Sequence, residues 1–421
     1  MSNTWKKLDN AAKIFPSAVN KSDTQVFRIV FELKQPIESA VLQQALDETL
    51  DVFELYKSVM RRGIFWYYLD PSDIKAIVHE EKKAPCRPIY VKGKKKLLFD
   101  VSYYGNRINL EMSHVLSDGT GALNFMSALV TSYLAKKQNK QEPTSFYDAS
   151  RSQMADDSFY HYYEREKGRN IEKNKRACSL RGAKYEENRL KIICGKMSAS
   201  DVLKLAREEK TSITVLFAAL MIEAIGNYVS LADKKRRPVI LAVPVNLRNH
   251  FPSESARNFF SALYIGYDFS KGDGSRADII GKVAEQLKEK LKKENLAHIM
   301  NGYSTVEHNF FIRIAPLLLK NITLKTAYKL NSKKSTAGLS NVGVIKLPDE
   351  MAELVDGAYI FSGTADMQAC VCTVGDNLTV SFSSPFISSD IQRGFFRALT
   401  EKGVNVEITA NLIGGEDKTE A

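Results

Sequence analysis

The sequence predicts an α+β fold in which mixed sheets are covered by helices. Strand and helix patterns follow one another without the regular alternation that a doubly wound parallel sheet requires. The 421 residues exceed what one ordinary hydrophobic core accommodates, so we expect two domains, residues 1–180 and 181–421. A hydrophobic content of 44% with 26% charged residues is typical of a folded globular protein.

The first predicted domain combines a strand, two hairpins and two helices. Alternating apolar residues from Val26 to Leu33 indicate a strand with one buried face, and an apolar stripe at helical spacing follows over 38–53. Gly63 and Gly105-Asn106 are turn residues between strand patterns. The predicted strands are 26–33, 58–62, 64–69, 97–104 and 107–114, and the predicted helices are 38–53 and 121–137.

A polar, charged segment over 138–185 marks the expected junction between the domains. In the second domain, the nearly continuous aliphatic run from Val239 to Val245 indicates a buried strand, and Gly375-Asp376-Asn377 supplies a hairpin turn. The predicted strands are 189–194, 239–245, 258–269, 338–346, 358–361, 369–374, 378–383 and 404–408. The predicted helices are 200–209, 214–231, 276–294, 296–330 with a break at Pro316, and 389–402.

The net charge of +11 suggests nucleic-acid binding as one hypothesis. Many lysines, however, alternate with acidic residues, as over 285–294, which is typical of a solvated helix face. The short basic clusters at 92–96 and 234–237 lack interleaved aromatic residues on which bases would stack. We therefore expect no nucleic-acid partner, and the charge favours attraction of an anionic small molecule such as a nucleotide thioester.

Cysteine usage and hydropathy indicate a reduced, cytoplasmic protein. The five cysteines show no framework spacing, and we interpret Cys370 and Cys372 as reduced core thiols rather than metal ligands. No run approaches the roughly 18 apolar residues of a membrane span, since the best candidate, 215–225, is short and contains Glu223. The N-terminus lacks the apolar core of a signal peptide.

The most informative stretch is Arg107 to Gly119, which contains His114-Val-Leu-Ser-Asp118-Gly119. The period of two places His114 on the apolar face of a strand, at its last residue. Asp118-Gly119 then ends the strand, and a helical pattern follows that Asp118 or Thr120 can cap. The alternative is that His114 is a core histidine at a strand end and that Asp118 is only a helix cap.

The six residues from His114 to Gly119 resemble the signature of the acyl-CoA-dependent acyltransferase superfamily, which includes chloramphenicol acetyltransferase and peptide-synthetase condensation domains. Two later stretches, Pro244-Val-Asn-Leu-Arg248 and Ser340-Asn341-Val-Gly343, are similar to motifs of bacterial alcohol-acetyltransferase-like proteins. The resemblance implies two similar chloramphenicol-acetyltransferase-like α/β sandwich lobes with an active-site channel between them.

The resemblance also implies a direct transfer of an acyl group from acyl-coenzyme A to a small alcohol or amine. His114 would act as the general base that deprotonates the acceptor. Asp118 would pair with Arg248 and hold the loop. Gly119 would supply a positive-φ turn or a close backbone approach. Ser340 and Asn341 would donate hydrogen bonds to the oxyanion, although a polar turn at a strand start is an alternative.

At two points the sequence differs from the family pattern, and both differences bear on which substrates are expected. Ser113 stands where condensation domains have a second histidine, which favours a coenzyme A donor over a carrier-protein thioester. The plant-type Asp-Phe-Gly-Trp-Gly motif is absent, so plant substrate preferences do not transfer. The alternatives are a non-catalytic protein that binds acyl ligands or a protein partner, and a condensation-type enzyme. We expect no permanent cofactor or metal, and a monomer or, alternatively, a dimer.

Other catalytic motifs give no support for a different chemistry. Gly119-Thr-Gly121 matches only half of a dinucleotide-binding loop, since the third glycine is absent. The chain has no Gly-x-Ser-x-Gly nucleophile elbow and no phosphate-binding Gly-Lys-Ser/Thr motif. The sequence therefore favours acyl transfer over serine hydrolysis, nucleotide hydrolysis and hydride transfer.

Overall fold

A computed structural model describes residues 5–20, 22–91, 93–140, 149–164, 176–186, 189–308 and 310–411, with the side chains of 303–311 excepted. Parts of the predicted junction, 141–148 and 165–175, lie outside the described residues. The predicted α+β class with mixed sheets is confirmed.

The strands agree closely with the sequence pattern, except for two short ones near the N-terminus and at residue 79. They are β1 (Lys6–Lys7), β2 (Val26–Leu33), β3 (Ser58–Arg62), β4 (Tyr67–Pro71), β5 (His79–Glu80), β6 (Phe99–Tyr104), β7 (Arg107–Ser113), β8 (Lys191–Ser198), β9 (Val239–Asn246), β10 (Phe260–Tyr267), β11 (Ala337–Val344), β12 (Val355–Ser362), β13 (Gln368–Val374), β14 (Asn377–Ser384) and β15 (Glu407–Ala410).

The predicted helices are present, and several short ones were not predicted because they are too brief to show a period. The helices are α1 (Phe15–Ala18), α2 (Ser39–Val52), α3 (Gly119–Lys137), α4 (Arg151–Met154), α5 (Ser158–His161), α6 (Ala199–Glu208), α7 (Ile213–Tyr228), α8 (Leu231–Arg236), α9 (Arg276–Lys290), α10 (Lys293–His308), α11 (Phe310–Ile314), α12 (Leu317–Asn331), α13 (Asp349–Ala352) and α14 (Asp390–Thr400).

The first lobe is built on a five-stranded sheet in the order β12-β2-β7-β6-β5. Its strands are antiparallel except for the β5–β6 pair. The apolar residues of β2, including Phe27 and Ile29, share one core with Leu46 of α2 and Phe125 of α3. The helices therefore cover the face of the sheet to which the alternating residues of β7 belong.

The second lobe is built on a seven-stranded mixed sheet in the order β10-β9-β11-β13-β14-β8-β15. Strand β11 is parallel to both of its neighbours, and the other pairs are antiparallel. Its core packs α7, α9 and α14 against one face, with Leu241, Phe217 and Phe395 fully buried. The opposite face is directed towards the first lobe, where Cys370 and Cys372 join the first core.

Strand β12 ties the two lobes together. It pairs along its length with β2 of the first sheet, with Ile360 opposite Ile29. It also packs on the second sheet, where Thr379 donates a hydrogen bond to the carbonyl of Ala358. The first sheet thus takes one strand from residues beyond 181, while the division into residues 1–180 and 181–421 stays a prediction.

Among the described residues, no single helix is long and apolar enough to cross a membrane. Within the part of the chain that the structure describes, α6 and α7 taken together reach the required length and apolarity, and these two helices are bent by 80° at their junction. Helix α7 is mostly buried in the second core, which is typical of a core helix.

Candidate active site

Strand β7 delivers His114 to the junction of the two lobes. The strand ends at Ser113, and the backbone N–H of His114 then donates to the carbonyl of Gln25 at 2.9 Å. From the second lobe, the Asn258 side chain donates to the carbonyl of His114 at 3.0 Å. Both backbone groups of His114 are therefore held, one by each lobe.

The imidazole of His114 lies within a collar of three phenylalanines. The ring centroids are 4.6 Å from Phe27, 5.2 Å from Phe15 and 6.2 Å from Phe260. Phe260 belongs to β10, so the second lobe closes the collar. The residue as a whole is partly buried, and the Nδ1 atom of its ring is buried and makes no hydrogen bond of normal geometry with the described residues.

This environment keeps the imidazole neutral. Burial lowers the pKa of His114 from 6.5 to about 4, because an apolar surrounding disfavours the imidazolium. The Asp118 carboxylate and the backbone of Ser117 oppose the shift without cancelling it. Near neutral pH the ring therefore carries a free lone pair, which a proton acceptor requires.

The Asp118 carboxylate makes both of the contacts that the sequence offered as alternatives. Its Oδ1 accepts a hydrogen bond from the N–H of Gly121 at 2.9 Å and caps α3. Its Oδ2 accepts from Arg248 Nη1 at 2.8 Å and from the N–H of Phe259 at 2.7 Å. The Asp118 and Arg248 side chains are only 5% and 10% exposed, so the ion pair is shielded from water.

Arg248 extends the pair into a clamp on residues 255–259 of the second lobe. Its Nε and Nη2 donate to the carbonyl of Ser255 at 3.1 and 2.8 Å, and Nη2 also donates to the carbonyl of Arg257. The guanidinium suits this task because its donors form a rigid planar fork. Arg248 thereby joins the motif loop to a segment of the second lobe.

The role of segment 255–259 at the site was missed in the sequence, where residues 258 and 259 were only the start of a predicted strand that in fact begins at Phe260. The carbonyl of Ala256 accepts hydrogen bonds from Ser117 Oγ at 2.6 Å and from the Tyr56 hydroxyl at 3.0 Å. Asn258 bridges the His114 carbonyl and Asp9 Oδ2, the latter at 3.1 Å. This segment therefore fixes both ends of the motif.

Asp9 is a second buried carboxylate at this junction. Its Oδ2 lies 3.6 Å from Arg257 Nε, and its Oδ1 accepts from the N–H of Ala12 at 2.7 Å. Burial raises the pKa of Asp9, and the positive charge of Arg257 opposes that shift. The N-terminal segment is thus attached to the second lobe beside the motif.

The expectation for Gly119 was wrong. Its φ is not in the left-handed region, and a Cβ added there would meet no atom within 4 Å. The close approach occurs at Gly121, where a Cβ would lie 2.2 Å from the Ala256 carbonyl oxygen and 2.3 Å from Ser117 Oγ. Glycine is therefore required at position 121, because the two lobes approach each other closely there, and not because of the conformation of the turn at Gly119.

Ser340 and Asn341 lie on opposite faces of β11. Ser340 pairs with Cys370, which belongs to the first core, whereas Asn341 pairs with Val371, which belongs to the second. The Asn341 amide donates to Thr214 Oγ1 at 2.9 Å, at the start of α7. Only Ser340 is therefore on the face directed towards the first lobe.

A cavity of about 580 Å³ lies on the other face of the first sheet. Arg28 and Glu111, which form an ion pair, contribute to its floor, and lysines including Lys83 and Lys95 to its rim. Neighbouring residues of a strand face opposite sides, so this cavity is separated by the sheet from Phe27 and His114. It contributes no residue to the motif.

Comparison with solved structures identifies the fold. The chain is similar to F. graminearum TRI101 complexed with coenzyme A and deoxynivalenol, with TM-score 0.64, 12% identity and coverage of 96% of this chain and 99% of the other. It is similar to the first condensation domain of the CDA synthetase, with TM-score 0.62, 14% identity and coverage of 95% and 96%. It is also similar to polyketide synthase associated protein 5 from Mycobacterium tuberculosis, with TM-score 0.61, 13% identity and coverage of 94% and 97%.

No protein-family model and no curated protein sequence matches the chain. The fold is nevertheless defined, since the solved structures match over nearly the whole length of both chains. The chain has the two-lobed fold of condensation domains and coenzyme A-dependent acyltransferases. At these identities the similarity establishes the fold, and the activity has to be argued from the site.

Proposed function

We propose that this protein is an acyltransferase that moves an acyl group from acyl-coenzyme A to the hydroxyl or amine of a small acceptor. The observation that carries the proposal is the state of His114. It is a partly buried histidine whose neutral ring lies in an aromatic collar at the lobe junction, and its backbone is held by both lobes. At pH 7 such a ring is in its unprotonated form, which is the form that a general base needs.

The proposed reaction is a direct attack in a ternary complex. His114 accepts the proton of the acceptor hydroxyl or amine as that atom bonds to the thioester carbonyl carbon. Collapse of the tetrahedral intermediate breaks the carbon–sulfur bond, and the imidazolium returns the proton to the departing thiolate. The rate enhancement arises because the protein holds both substrates close together in the ternary complex. We assign the oxyanion contact to Ser340, because Asn341 is bonded to Thr214 on the other face of β11.

The state of the cysteines supports transfer without an acyl-enzyme. All five are free and buried. Burial raises the pKa of Cys194 to about 11 and that of Cys370 and Cys372 to about 12, so none of these three is a ready thiolate. Incubation with the donor alone should therefore leave the intact mass of the protein unchanged.

The choice of donor follows from two observations. TRI101, which has the same fold, is described in complex with coenzyme A, and Ser113 replaces the second histidine of condensation domains. We include in the proposal a cytoplasmic location and a monomeric state. A carrier-protein donor and a non-catalytic ligand-binding role are the competing functions.

A panel of acyl-coenzyme A donors, from acetyl to medium chains, tests the proposal when combined with a set of small alcohols and amines. Release of free thiol that depends on the acceptor and is lost in His114→Ala would support it. Transfer from a carrier-protein thioester alone would favour the condensation-type alternative. Tight binding of acyl-coenzyme A without turnover would favour the non-catalytic one.

A further inference from the structure

Helix α12 exposes large aliphatic side chains to solvent. Leu318, Leu319 and Ile322 are 63%, 58% and 65% exposed, and Leu330 near the end of the helix is 61% exposed. The helix is anchored by its other face, where Leu317 is buried and α12 packs against α1. A contiguous aliphatic face of this kind on a soluble helix is typical of a surface that binds something.

The tip of the β3–β4 hairpin extends this surface. Ile64 is 77% exposed and Phe65 is 46% exposed. The N–H of Leu317 donates to the Ile64 carbonyl at 3.0 Å, and the buried Lys320 donates to the Phe65 carbonyl at 3.0 Å. The hairpin tip and α12 are thus joined into one surface. We call it the docking patch, and it comprises Ile64, Phe65, Leu318, Leu319 and Ile322.

The surroundings of the docking patch are basic and contain no acidic residue in the adjoining sequence. Neither 57–69 nor 310–336 contains Asp or Glu. The second stretch contains six cationic residues, of which Lys325 and Lys329 are exposed on α12 itself. The six are Arg313, Lys320, Lys325, Lys329, Lys333 and Lys334.

Both tryptophans of the chain adjoin the hairpin of the docking patch. Trp66 follows Phe65, and the Nζ of Lys320 lies 3.9 Å from the centre of a Trp66 ring. Trp5 packs edge-on against Tyr68 of the same hairpin, with ring centroids 5.6 Å apart. Tryptophan and tyrosine are the residues enriched where a protein meets the headgroup region of a bilayer.

We propose that the docking patch binds the surface of an anionic phospholipid bilayer, with the aliphatic side chains inserted at the interface and the lysines at the headgroups. Exposed aliphatic residues beside exposed lysines are the pattern of an interfacial helix. A second copy fits less well, because a twofold interface would place the same lysines against each other.

Helix α12, which carries part of the docking patch, is linked to the motif by hydrogen bonds. The hydroxyl of Tyr328 on α12 accepts a hydrogen bond from Gln25 Nε2 at 2.8 Å and donates to Asp23 Oδ2 at 2.7 Å. The carbonyl of Gln25 accepts from the N–H of His114. The helix is therefore two hydrogen bonds from His114. The binding itself does not depend on acyl transfer, so the two proposals can fail separately.

Vesicle flotation with the full chain tests the proposal, using phosphatidylcholine vesicles with and without phosphatidylglycerol. The protein should float with the anionic vesicles and bind neutral ones weakly, and added salt should release it. Tryptophan emission should move to shorter wavelength on binding.

The double variant Leu319→Glu/Ile322→Glu should lower partitioning into the vesicles by about tenfold or more. Lys325→Glu/Lys329→Glu should lower it by about tenfold on anionic vesicles only.

The matched control is Leu203→Glu/Lys204→Glu on α6, which changes an exposed leucine and an exposed lysine away from the patch. It should bind like the unmodified protein. Absence of binding to anionic vesicles, or equal binding by the patch variants and the control, would overturn the proposal. A dimer in sedimentation velocity that Leu319→Glu/Ile322→Glu abolishes would assign the surface to a second copy instead.

Discussion

His114 and Asp118 belong to one motif, are four residues apart and have opposite environments. The Asp118 carboxylate accepts three hydrogen bonds, from Gly121, Arg248 and Phe259. The His114 ring is surrounded by phenylalanines and has a buried Nδ1 without a normal hydrogen bond among the described residues. The carboxylate is committed to structure, while the imidazole is left free to exchange a proton.

The difference arises from the elements that surround each side chain. His114 directly follows a strand whose apolar face continues into the first core, so its ring is placed among aromatic residues. Asp118 begins a helix whose N-terminus meets segment 255–259 of the second lobe, where backbone N–H groups and Arg248 are available. The motif therefore joins the proposed general base, His114, to an ion pair that connects the two lobes. Substitutions can remove the His114 ring and the Asp118–Arg248 ion pair separately.

The largest expected effect is on turnover in His114→Ala. Loss of the base should lower kcat by about 10²–10⁴-fold, the usual contribution of a positioned acid–base group. The fold should be retained, because the backbone contacts of His114 do not involve its side chain. Steady-state kinetics and circular dichroism check this. His79→Ala, at an exposed histidine paired with Asp100, is the control and should keep full activity.

The next effect is on stability, when one partner of the Asp118–Arg248 pair is removed. Arg248→Gln or Asp118→Asn should each lower the free energy of unfolding by about 3–5 kcal/mol, since a buried charge loses its counter-charge. The double variant should lose less than the sum of the two. Denaturant unfolding of the four proteins measures the coupling, and strictly additive losses would reduce Asp118 to a helix cap.

A smaller effect distinguishes the two glycines of the motif loop. Gly121→Ala should cost about 1–3 kcal/mol of stability, because the new Cβ overlaps the Ala256 carbonyl. Gly119→Ala, two residues earlier, should change stability by less than about 1 kcal/mol, since its Cβ would enter open space. Thermal unfolding of the two variants measures this difference. Equal losses of stability would show that the close contact is not at Gly121.

The sequence predicted local features well because they depend on short periods. The strand before His114, which ends at Ser113 rather than at His114 itself, and the cap at Asp118 follow from alternation and spacing within about a dozen residues. The Arg248 partner, 130 residues away, could be named only through the family resemblance. The pairing of β12 with β2 has no local signal, since any strand pattern is compatible with several neighbours.

The errors at the site have the same origin. The role was assigned to Gly119, and Gly121 was not considered, because the requirement for glycine comes from the Ala256 carbonyl, which is distant in sequence. Ser340 and Asn341 were treated as a pair, although adjacent residues of a strand face opposite sides. Asn258 and Asp9 were missed because a single buried polar residue has no pattern before its partners are known.

The neutrality of His114 is the central claim, and a titration of its ring measures it directly. The protein is labelled with ¹³C-histidine, and the His114 signal is assigned by its absence in His114→Gln. Burial predicts a pKa of about 4, so the ring stays neutral from pH 7 down to about pH 5. The acid limb of kcat/KM should fall at the same value. Since the unfolded chain has the ordinary pKa of 6.5, the contribution of His114 to stability should decline as the pH falls from 6.5 to about 4. A pKa at or above 6.5 in the folded protein would contradict the account.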